Sequence, residues 1–443
     1  MVFLLVPHIV ATLFTAEHAQ ENNAIRKNRA VNNYMEDADM DVIYERCCGL
    51  DIHKASITAC ILVGKKKEIC TFGTMTDDLL RLTAFLKERN VQMTAMESTG
   101  SFWKPIFNIM EVEGVAAILV NAAHIKAVPG RKTDVKDAEW IADCLKHGLL
   151  RPSFVKPRDQ RELCELIRYR GSLIEERARE YNRMGKVLEG ANIKLTSVAS
   201  KMDTVSGTNM IRALSEGVVD PALLASMAKG SLRKKTDELK RALNGLVQPH
   251  QQMILKAMLG HIDQLSRLID TLDTEIEIRM SQDVELVEAL DEITGVGKVS
   301  AQTILAELGT DMTRFPSAKH LASWACICPG NNESAGKKKS GKTKKANSTL
   351  KKTLIQCGRG AANSKDTYLS SLYHRIASRR GAKRATVAVG HAILVVCYHM
   401  IQNRSRYNDL GSDYFHKRNK DALVRQSVKR LEALGYYVSL NAA

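Results

Sequence analysis

Four acidic side chains in the N-terminal part of the chain have the order and spacing to form a metal site. Asp51 ends one apolar run and Glu97 ends another, while Asp134 and Asp137 open a stretch with helical character. The i, i+3 spacing of the last pair puts both carboxylates on one helix face. Carboxylates grouped without basic partners repel one another, so a cluster is tolerated mainly when divalent cations such as Mg²⁺ occupy it. Two hard cations held in this way are the usual means of activating phosphodiester cleavage.

Each acid also has a structural explanation. Taken alone, Asp134 or Asp137 is an acid at a helix N-terminus, where the helix dipole favours negative charge. Asp51 is harder to explain structurally, because a carboxylate at the end of an apolar strand needs compensation when it is buried. The metal-site hypothesis therefore depends on all four acids meeting in the fold.

A second candidate for chemistry, Ser334, stands in a strongly basic segment. Between Asn331 and Lys352 there are eight lysines and one glutamate, Glu333. A serine hydroxyl needs activation, or a stabilised leaving group, to act as a nucleophile near neutral pH. No histidine lies beside Ser334, so the segment alone indicates a solvated loop that contacts phosphate. The candidate phosphate-binding lysines are Lys337, Lys338, Lys339, Lys342, Lys344 and Lys345.

The stretch "LDEITGVGKVSAQTILAELG" predicts two helices joined by a Gly-x-Gly turn. This is the pattern of a helix-hairpin-helix, in which turn amides hold a phosphate. The predicted contacts are Gly295, Gly297 and Lys298. The alternative is an ordinary tight turn between two helices.

Composition favours a nucleic-acid partner. The formal net charge is +16 and the sequence pI about 9.3, and cations that neutralise phosphates gain free energy by releasing counterions. An anionic membrane surface is the weaker alternative. The run "TVAVGHAILVVCYHMI" is shorter than a membrane span and contains a glycine and two histidines, so we expect a buried core helix and no membrane partner. The ten cysteines are scattered without a CxxC pair, which predicts reduced, buried thiols in a cytoplasm.

The pattern along the 443 residues predicts several units. Residues 1–42 are a disordered or mis-called leader. Residues 43–155 alternate strands and helices after a three-strand meander, which indicates an α/β domain with a mixed sheet. Residues 158–282 are helical, with an insertion near 192–235. Residues 285–405 form a mainly α domain that holds the Gly-x-Gly turn and the Ser334 loop, and residues 406–443 form a tail.

A heptad-like seam in the helical region predicts coiled-coil packing, in cis or in a dimer. Its residues are Leu255, Met258, Ile262, Leu265, Ile269, Leu272 and Ile276.

The segments "GLDIHK", "MESTGSFWKPI" and "KTDVKDAEWIA" resemble the DEDD motifs of the bridge-RNA-guided insertion-sequence transposases. The resemblance covers residues 43–150 and resumes over 285–400. It implies a RuvC-like, RNase-H-like first domain whose metal ligands are Asp51, Glu97, Asp134 and Asp137. It also implies that Ser334 is a catalytic serine, which forms a covalent phosphoserine link to DNA in a composite site. Lysines replace most of the family's arginines, so which basic residue contacts the scissile phosphate stays open.

The resemblance implies a transposase, a DNA recombinase of an insertion sequence. Such an enzyme cuts and exchanges strands of element and target DNA in a bacterial or archaeal cytoplasm, guided by a bridge RNA and acting as a homo-oligomer, a dimer or tetramer. Two alternatives remain at this point. One is a junction-resolving nuclease that uses water as the nucleophile, and the other is a non-enzymatic nucleic-acid-binding scaffold.

Overall fold

The chain folds into two compact units, residues 1–155 and residues 156–443. A computed structural model describes residues 42–98, 100–122, 125, 137–329, 332–334, 337–340, 343, 348–418 and 420–439. Almost all of the predicted leader, as well as Asp134, Lys342, Lys344 and Lys345, lies outside the described residues.

The first unit is built on a mixed five-stranded sheet among the described residues. Its strands are β1 (Arg46–Ile52), β2 (Ile57–Val63), β3 (Lys66–Phe72), β4 (Met93–Glu97) and β5 (Ala117–Val120). The strand order is β3-β2-β1-β4-β5, with β1, β2 and β3 in an antiparallel meander and β4 and β5 parallel to β1. The α/β domain with a mixed sheet that the sequence predicts is therefore confirmed.

Helices cover both faces of this sheet. They are α1 (Thr76–Glu88), α2 (Trp103–Val112) and α3 (Asp137–Lys146). Residues at alternate positions of β1 point to opposite faces. Cys48 and Leu50 join the core that includes buried residues of α1 and α2, whereas Cys47 joins the core that includes Ile141 and Leu145 of α3. The period of two in β1 thus decides which of its side chains meet α3.

The second unit is mainly helical. Its first part contains α4 (Arg158–Gly190), α5 (Leu195–Val198), α6 (Val205–Ser215), α7 (Pro221–Ser226), α8 (Thr236–Ala242) and α9 (Pro249–Arg279). Its second part contains α10 (Val284–Asp291), α11 (Lys298–Leu308), α12 (Ala318–Trp324), α13 (Ser348–Ala362), α14 (Tyr368–Arg380), α15 (Ala382–Asn403), α16 (Tyr414–Arg418) and α17 (Lys420–Ala433). The predicted tail therefore contains two helices, α16 and α17.

The predicted seam lies on α9 and is packed within the chain. Leu255, Ile262, Leu265, Ile269 and Ile276 are all buried. The α9 helix packs along α4, and Leu265 and Ile269 share a buried cluster with Leu173 of α4. In the part of the chain that the structure describes, this apolar stripe has its partner in cis, so the stripe needs no second copy to be covered.

Two buried ionic contacts tie α11 to the start of the second unit. The Glu307 side chain is 1% exposed, and it accepts hydrogen bonds from Lys156 Nζ at 2.5 Å and Arg168 Nε at 2.8 Å. Burial raises the pKa of Glu307, but the hydrogen bonds and charges of Arg168 and Lys156 outweigh it and leave the pKa below its ordinary value. Arg170, also 1% exposed, donates to Asp273 of α9 and Gln302 of α11.

The apolar run near the C-terminus forms α15. It is 22 residues long and, by length and composition alone, apolar enough to cross a membrane. More than half of that stretch is buried, and Val389, Ile393 and Leu394 belong to the main core of the second unit. Packing with α13 is close, because a Cβ at Gly390 would lie 2.8 Å from the Leu354 carbonyl oxygen. The helix is a core element of this unit.

All ten cysteines are free, and seven of them are buried. Burial raises the pKa of Cys47 and of Cys60 to about 11, so these thiols are protonated near neutral pH. The prediction of buried thiols is confirmed for these seven cysteines.

Candidate active site

Two of the candidate acids end neighbouring parallel strands. Asp51 is the penultimate residue of β1, and Glu97 is the last residue of β4. The strands pair in parallel with Leu50 opposite Met96, so the next residues, Asp51 and Glu97, come to the same edge of the sheet. Neighbouring strands are about 4.8 Å apart. Main-chain pairing therefore brings these two acids side by side.

The two acids also share a face. Along β1, Gly49 faces α3, and Asp51 follows two positions later on the same side. Along β4, Ala95 packs in the cluster with α3, and Glu97 follows two positions later. Both carboxylates thus belong to the side of the sheet that α3 covers.

A glycine lets the beginning of α3 lie directly on β1. A Cβ built at Gly49 would lie 2.3 Å from the Ala138 carbonyl oxygen and 2.4 Å from the Ala142 backbone nitrogen. Asp137 is the first residue of α3 and is exposed. The close approach at Gly49 places the start of α3, with Asp137, next to the C-terminal half of β1. Asp51, Glu97 and Asp137 therefore lie at one end of the sheet on one face.

The surroundings of these acids are polar and partly open. Asp51 is 28% exposed, and its Oδ2 lies 3.2 Å from His53 Nε2. Glu139, two residues into α3, is held by Lys67 on β3 at 2.6 Å, and this hydrogen bond raises the pKa of Lys67. Glu139 is thus held by a lysine of β3.

The donor set fits a hard divalent cation, because such ions take carboxylate oxygens. Among the described residues, no group of three or more His, Cys, Asp or Glu side chains is close enough to hold a metal ion. Asp134, the fourth predicted ligand, is outside the described residues. The structure places Asp51, Glu97 and Asp137 at one edge, and their assignment as metal ligands stays a prediction.

The segment with Ser334 is a short β-hairpin, so the prediction of a simple loop is wrong there. Strand β6 (Asn332–Ser334) pairs antiparallel with β7 (Lys337–Ser340). The register puts Ser334 opposite Lys337, so Ser334 is the last strand residue before the connection. The two residues between the strands, Ala335 and Gly336, lie outside the described residues.

The predicted phosphate-binding lysines are described in part. Lys337, Lys338 and Lys339 lie on β7, and Lys342, Lys344 and Lys345 are the three outside the described residues. In the same region, Lys351 donates to the Thr343 hydroxyl at 2.6 Å and Lys352 lies 3.5 Å from Glu175. Ser334 therefore borders a strand of consecutive lysines.

The Gly-x-Gly turn between α10 and α11 packs against α13, a role that the sequence did not predict. Gly295 has φ of +86°, and a Cβ there would lie 2.4 Å from the Ala361 nitrogen on α13. Gly297 is exposed at the start of α11, and a Cβ there would lie 4.0 Å from Asp291 Oδ1. Lys298 binds Glu277 at 2.6 Å, a hydrogen bond that raises the lysine's pKa. Phosphate binding by this turn stays a prediction.

Two further residues at the site were not predicted from the sequence. His53 contacts Asp51, and the Asp-x-His spacing after a strand was the signal that could have revealed it. Gly49 permits the approach of α3, and a glycine inside an otherwise apolar strand is a known mark of close backbone packing.

Comparison with known proteins matches both units. Residues 48–193 match a transposase family model, that of the DEDD transposase of the IS110 type, and residues 287–375 match the model described as the transposase IS116/IS110/IS902 family. The first match includes Asp51, Glu97 and Asp137, and the second includes Ser334.

Curated relatives agree with these matches. The transposase for insertion sequence element IS1111A of Coxiella burnetii is 23% identical over 81% of this chain and 90% of its own length. A probable family 20 transposase of Pseudomonas aeruginosa is 23% identical over 73% of this chain and 88% of the relative. The transposase for insertion sequence element IS1328 of Yersinia enterocolitica is 24% identical over 63% of this chain and 74% of the relative.

Proposed function

The chain belongs to the IS110 family of DEDD transposases, and on this premise we propose that it cuts and rejoins DNA with Ser334 as the nucleophile and divalent metal held by Asp51, Glu97, Asp134 and Asp137. Its substrates are the ends of its own insertion element and the target DNA. A bridge RNA encoded by the element selects both, and a homo-oligomer, a dimer or tetramer, assembles them in the cytoplasm.

The observation that supports the proposal is the placement of three acids at the same end and on the same face of the sheet. The parallel pairing of β1 with β4 aligns Asp51 with Glu97, and the approach of α3 at Gly49 adds Asp137. Carboxylates gathered in this way favour a hard cation such as Mg²⁺. Bound there, divalent ions supply Lewis-acid activation of a phosphodiester.

Ser334 has a position suited to attack on a DNA strand. It ends β6 at the tip of a hairpin whose second strand begins with Lys337, Lys338 and Lys339. Lysine charge next to a hydroxyl favours the approach of a phosphate and stabilises negative charge that develops on it. The hairpin therefore provides the nucleophile and a basic strand together.

The proposed reaction balances without an external energy source. Ser334 Oγ forms a bond to phosphorus while the P–O bond to the departing strand end breaks. The proton lost by the serine is balanced by the proton that the departing oxygen takes up. A strand-end hydroxyl later attacks the phosphoserine, restores a phosphodiester and releases the serine. Because one phosphoester replaces another, strand exchange is close to isoenergetic.

The Gly-x-Gly turn and the basic strand are proposed to hold the backbone of the nucleic acid. In this proposal, exposed Gly297 offers an amide at the start of α11, and Lys298 adds charge beside it. The proposed contacts of the turn are Gly295, Gly297 and Lys298, and those of the Ser334 hairpin and its continuation are Lys337, Lys338, Lys339, Lys342, Lys344 and Lys345.

A suicide substrate tests the proposal. Nicked DNA whose cut end diffuses away traps a covalent protein–DNA adduct, which migrates slowly on a denaturing gel. We expect adduct with the wild-type chain and Mg²⁺, and none with Asp51→Asn, Glu97→Gln or Ser334→Ala. Glu139→Gln is the matched control on α3, because Glu139 is occupied by Lys67; it should retain the adduct.

The same assay separates the alternatives. A nuclease that uses water gives cut DNA without adduct and is insensitive to Ser334→Ala. Cleavage that survives Asp51→Asn, Glu97→Gln and Asp137→Asn would exclude the acidic edge from the chemistry.

A further inference from the structure

The corner between α14 and α15 carries concentrated positive charge that the proposed chemistry does not use. Gly381, with φ of +81°, ends α14 and begins α15, so the two helices meet without a linker. The exposed cations of this α14–α15 corner are Arg375, Arg379, Arg380, Lys383 and Arg384. We propose that the α14–α15 corner is a docking surface for the phosphate backbone of duplex DNA, separate from the residues that cut it.

Most of these cations have no acidic partner. Within the ranges that the structure describes, no carboxylate forms an ion pair with Arg379, Arg380, Lys383 or Arg384. Elsewhere in the same unit, Arg279 contacts both Glu162 and Glu275. Cations left unpaired and close together repel one another, so the corner attracts a polyanion.

The sequence around the corner explains this lack of partners. No Asp or Glu occurs between Asp366 and Asp409, whereas that stretch contains seven Lys and Arg residues. Helix neighbours at i+3 and i+4 usually supply the opposite charge for a surface cation. Here, every such neighbour within the stretch is neutral or basic.

Two of the cations oppose the helix dipole. Lys383 and Arg384 lie in the first turn of α15, where the partial charge of the helix is positive and acids are favoured. That turn also has backbone N–H groups without helical partners, which bind phosphate oxygens. The arrangement is unfavourable in the free protein and becomes favourable when an anion is bound.

The corner is held on a rigid support. A Cβ at Gly358 of α13 would lie 2.7 Å from the Thr386 carbonyl oxygen, so the first turns of α15 pack directly on α13. Thr386 and Val389 are buried. A fixed surface lowers the entropic cost of ordering the cations against a phosphate backbone.

Burial of α15 favours DNA over a membrane as the partner. A polybasic segment beside a membrane anchor needs a lipid-exposed apolar helix, whereas α15 has its apolar residues in the protein core. Duplex DNA is the polyanion on which this family acts. The family match ends at Arg375, so the other four cations of the corner lie beyond the matched segment.

Salt-dependent DNA binding tests the inference, which rests on the family's DNA substrate but not on its cleavage chemistry. The full chain, in EDTA, is titrated against a short random-sequence duplex over a range of salt concentrations. Each phosphate contact contributes about −0.9 to the slope of log K against log salt. The variant R379Q/R380Q/K383Q/R384Q should therefore reduce the slope by about 3.6, and K383Q/R384Q by about 1.8.

A matched control removes four exposed cations elsewhere in the unit, K229Q/K234Q/K235Q/R241Q, and should keep the wild-type slope. The K383Q/R384Q melting temperature should not fall, because it relieves the conflict with the helix dipole. An unchanged slope in both corner variants, or an equal loss in the control, overturns the proposal. So does a loss confined to duplex RNA, or to vesicles of phosphatidylcholine and phosphatidylserine. If an adduct forms at Ser334 while the corner variants bind DNA normally, the proposal of a docking surface at the corner is wrong and the proposed chemistry stands.

Discussion

Gly49 on β1 lies directly beneath Ala138 on α3, so closely that a Cβ at Gly49 would be 2.3 Å from the Ala138 carbonyl oxygen. The contact is between backbones, and neither partner can move away by changing a rotamer. It sets the height of α3 over the sheet and therefore the position of Asp137 relative to Asp51. One missing side chain thus relates two acids that are far apart in sequence.

Gly49→Ala should lower stability and cleavage together. An added methyl must displace α3, and overpacking of this kind costs about 1–3 kcal/mol. Chemical denaturation measures the loss. Gly260→Ala is the control, because α9 has nothing within 4 Å of that position and alanine is the better helix former by about 1 kcal/mol. Equal stability of Gly49→Ala and the wild-type chain would contradict the close contact.

The two glycines of the turn before α11 should respond differently to alanine. Gly295→Ala places an alanine in the left-handed region, which costs about 1–3 kcal/mol, and its Cβ would collide with the backbone of α13. Gly297 has φ of −113°, and a Cβ there would have only Asp291 Oδ1 nearby, at 4.0 Å. Gly297→Ala should therefore change the melting temperature very little. Thermal unfolding distinguishes them. A larger loss at Gly297 would show that the turn packs differently.

Ionisation of Glu307 should make the free energy of unfolding depend on pH in the acid range. Its pKa in the folded state lies below the ordinary value of 4.5, because Arg168 and Lys156 outweigh the effect of burial. The carboxylate's contribution is complete above the unfolded-state pKa and is lost as pH falls through the lower folded-state pKa. Denaturation between neutral and acid pH should show this loss, and Glu307→Gln should abolish it.

The same substitution should also be costly at neutral pH. Glu307→Gln leaves two cations without their buried partner, a loss of about 3–5 kcal/mol by analogy with other broken buried ion pairs. Glu285→Gln, at an exposed position of α10, is the control, with a change within about 0.5 kcal/mol. Comparable effects of the two substitutions would rule out a structural role for the Glu307 contacts.

The position of Asp51, Glu97 and Asp137 at one end of the sheet could be predicted, because the strand and helix patterns place each acid at the end of its element. Apolar runs that end in Asp51 and Glu97 indicate strands, and parallel strands bring their carboxyl ends to the same edge. The contact of Gly49 with α3 was not predicted, because a glycine in a strand indicates a close backbone approach but does not identify the element that approaches. The Ser334 hairpin was missed for a different reason. The segment is lysine-rich, so local composition indicated a solvated loop, whereas β6 and β7 pair as a β-hairpin.

The α9 seam illustrates a limit of periodicity. Its spacing correctly identified the buried face of the helix but left the partner open. The partner is α4 of the same unit, which begins 91 positions earlier at Arg158, compared with Pro249 for α9. Periodicity reports that a face must be covered, and only the tertiary structure decides which element covers it.

Mass spectrometry of the trapped protein–DNA adduct tests the central claim most directly. After nuclease and protease digestion, the nucleotide remnant should be found on the peptide that carries Ser334, attached through its hydroxyl. Ser340 and Ser348 are nearby serines in the same lysine-rich segment and should be unmodified. A remnant on either of them, or cut DNA with no modified peptide, would contradict the assignment of Ser334 as the nucleophile.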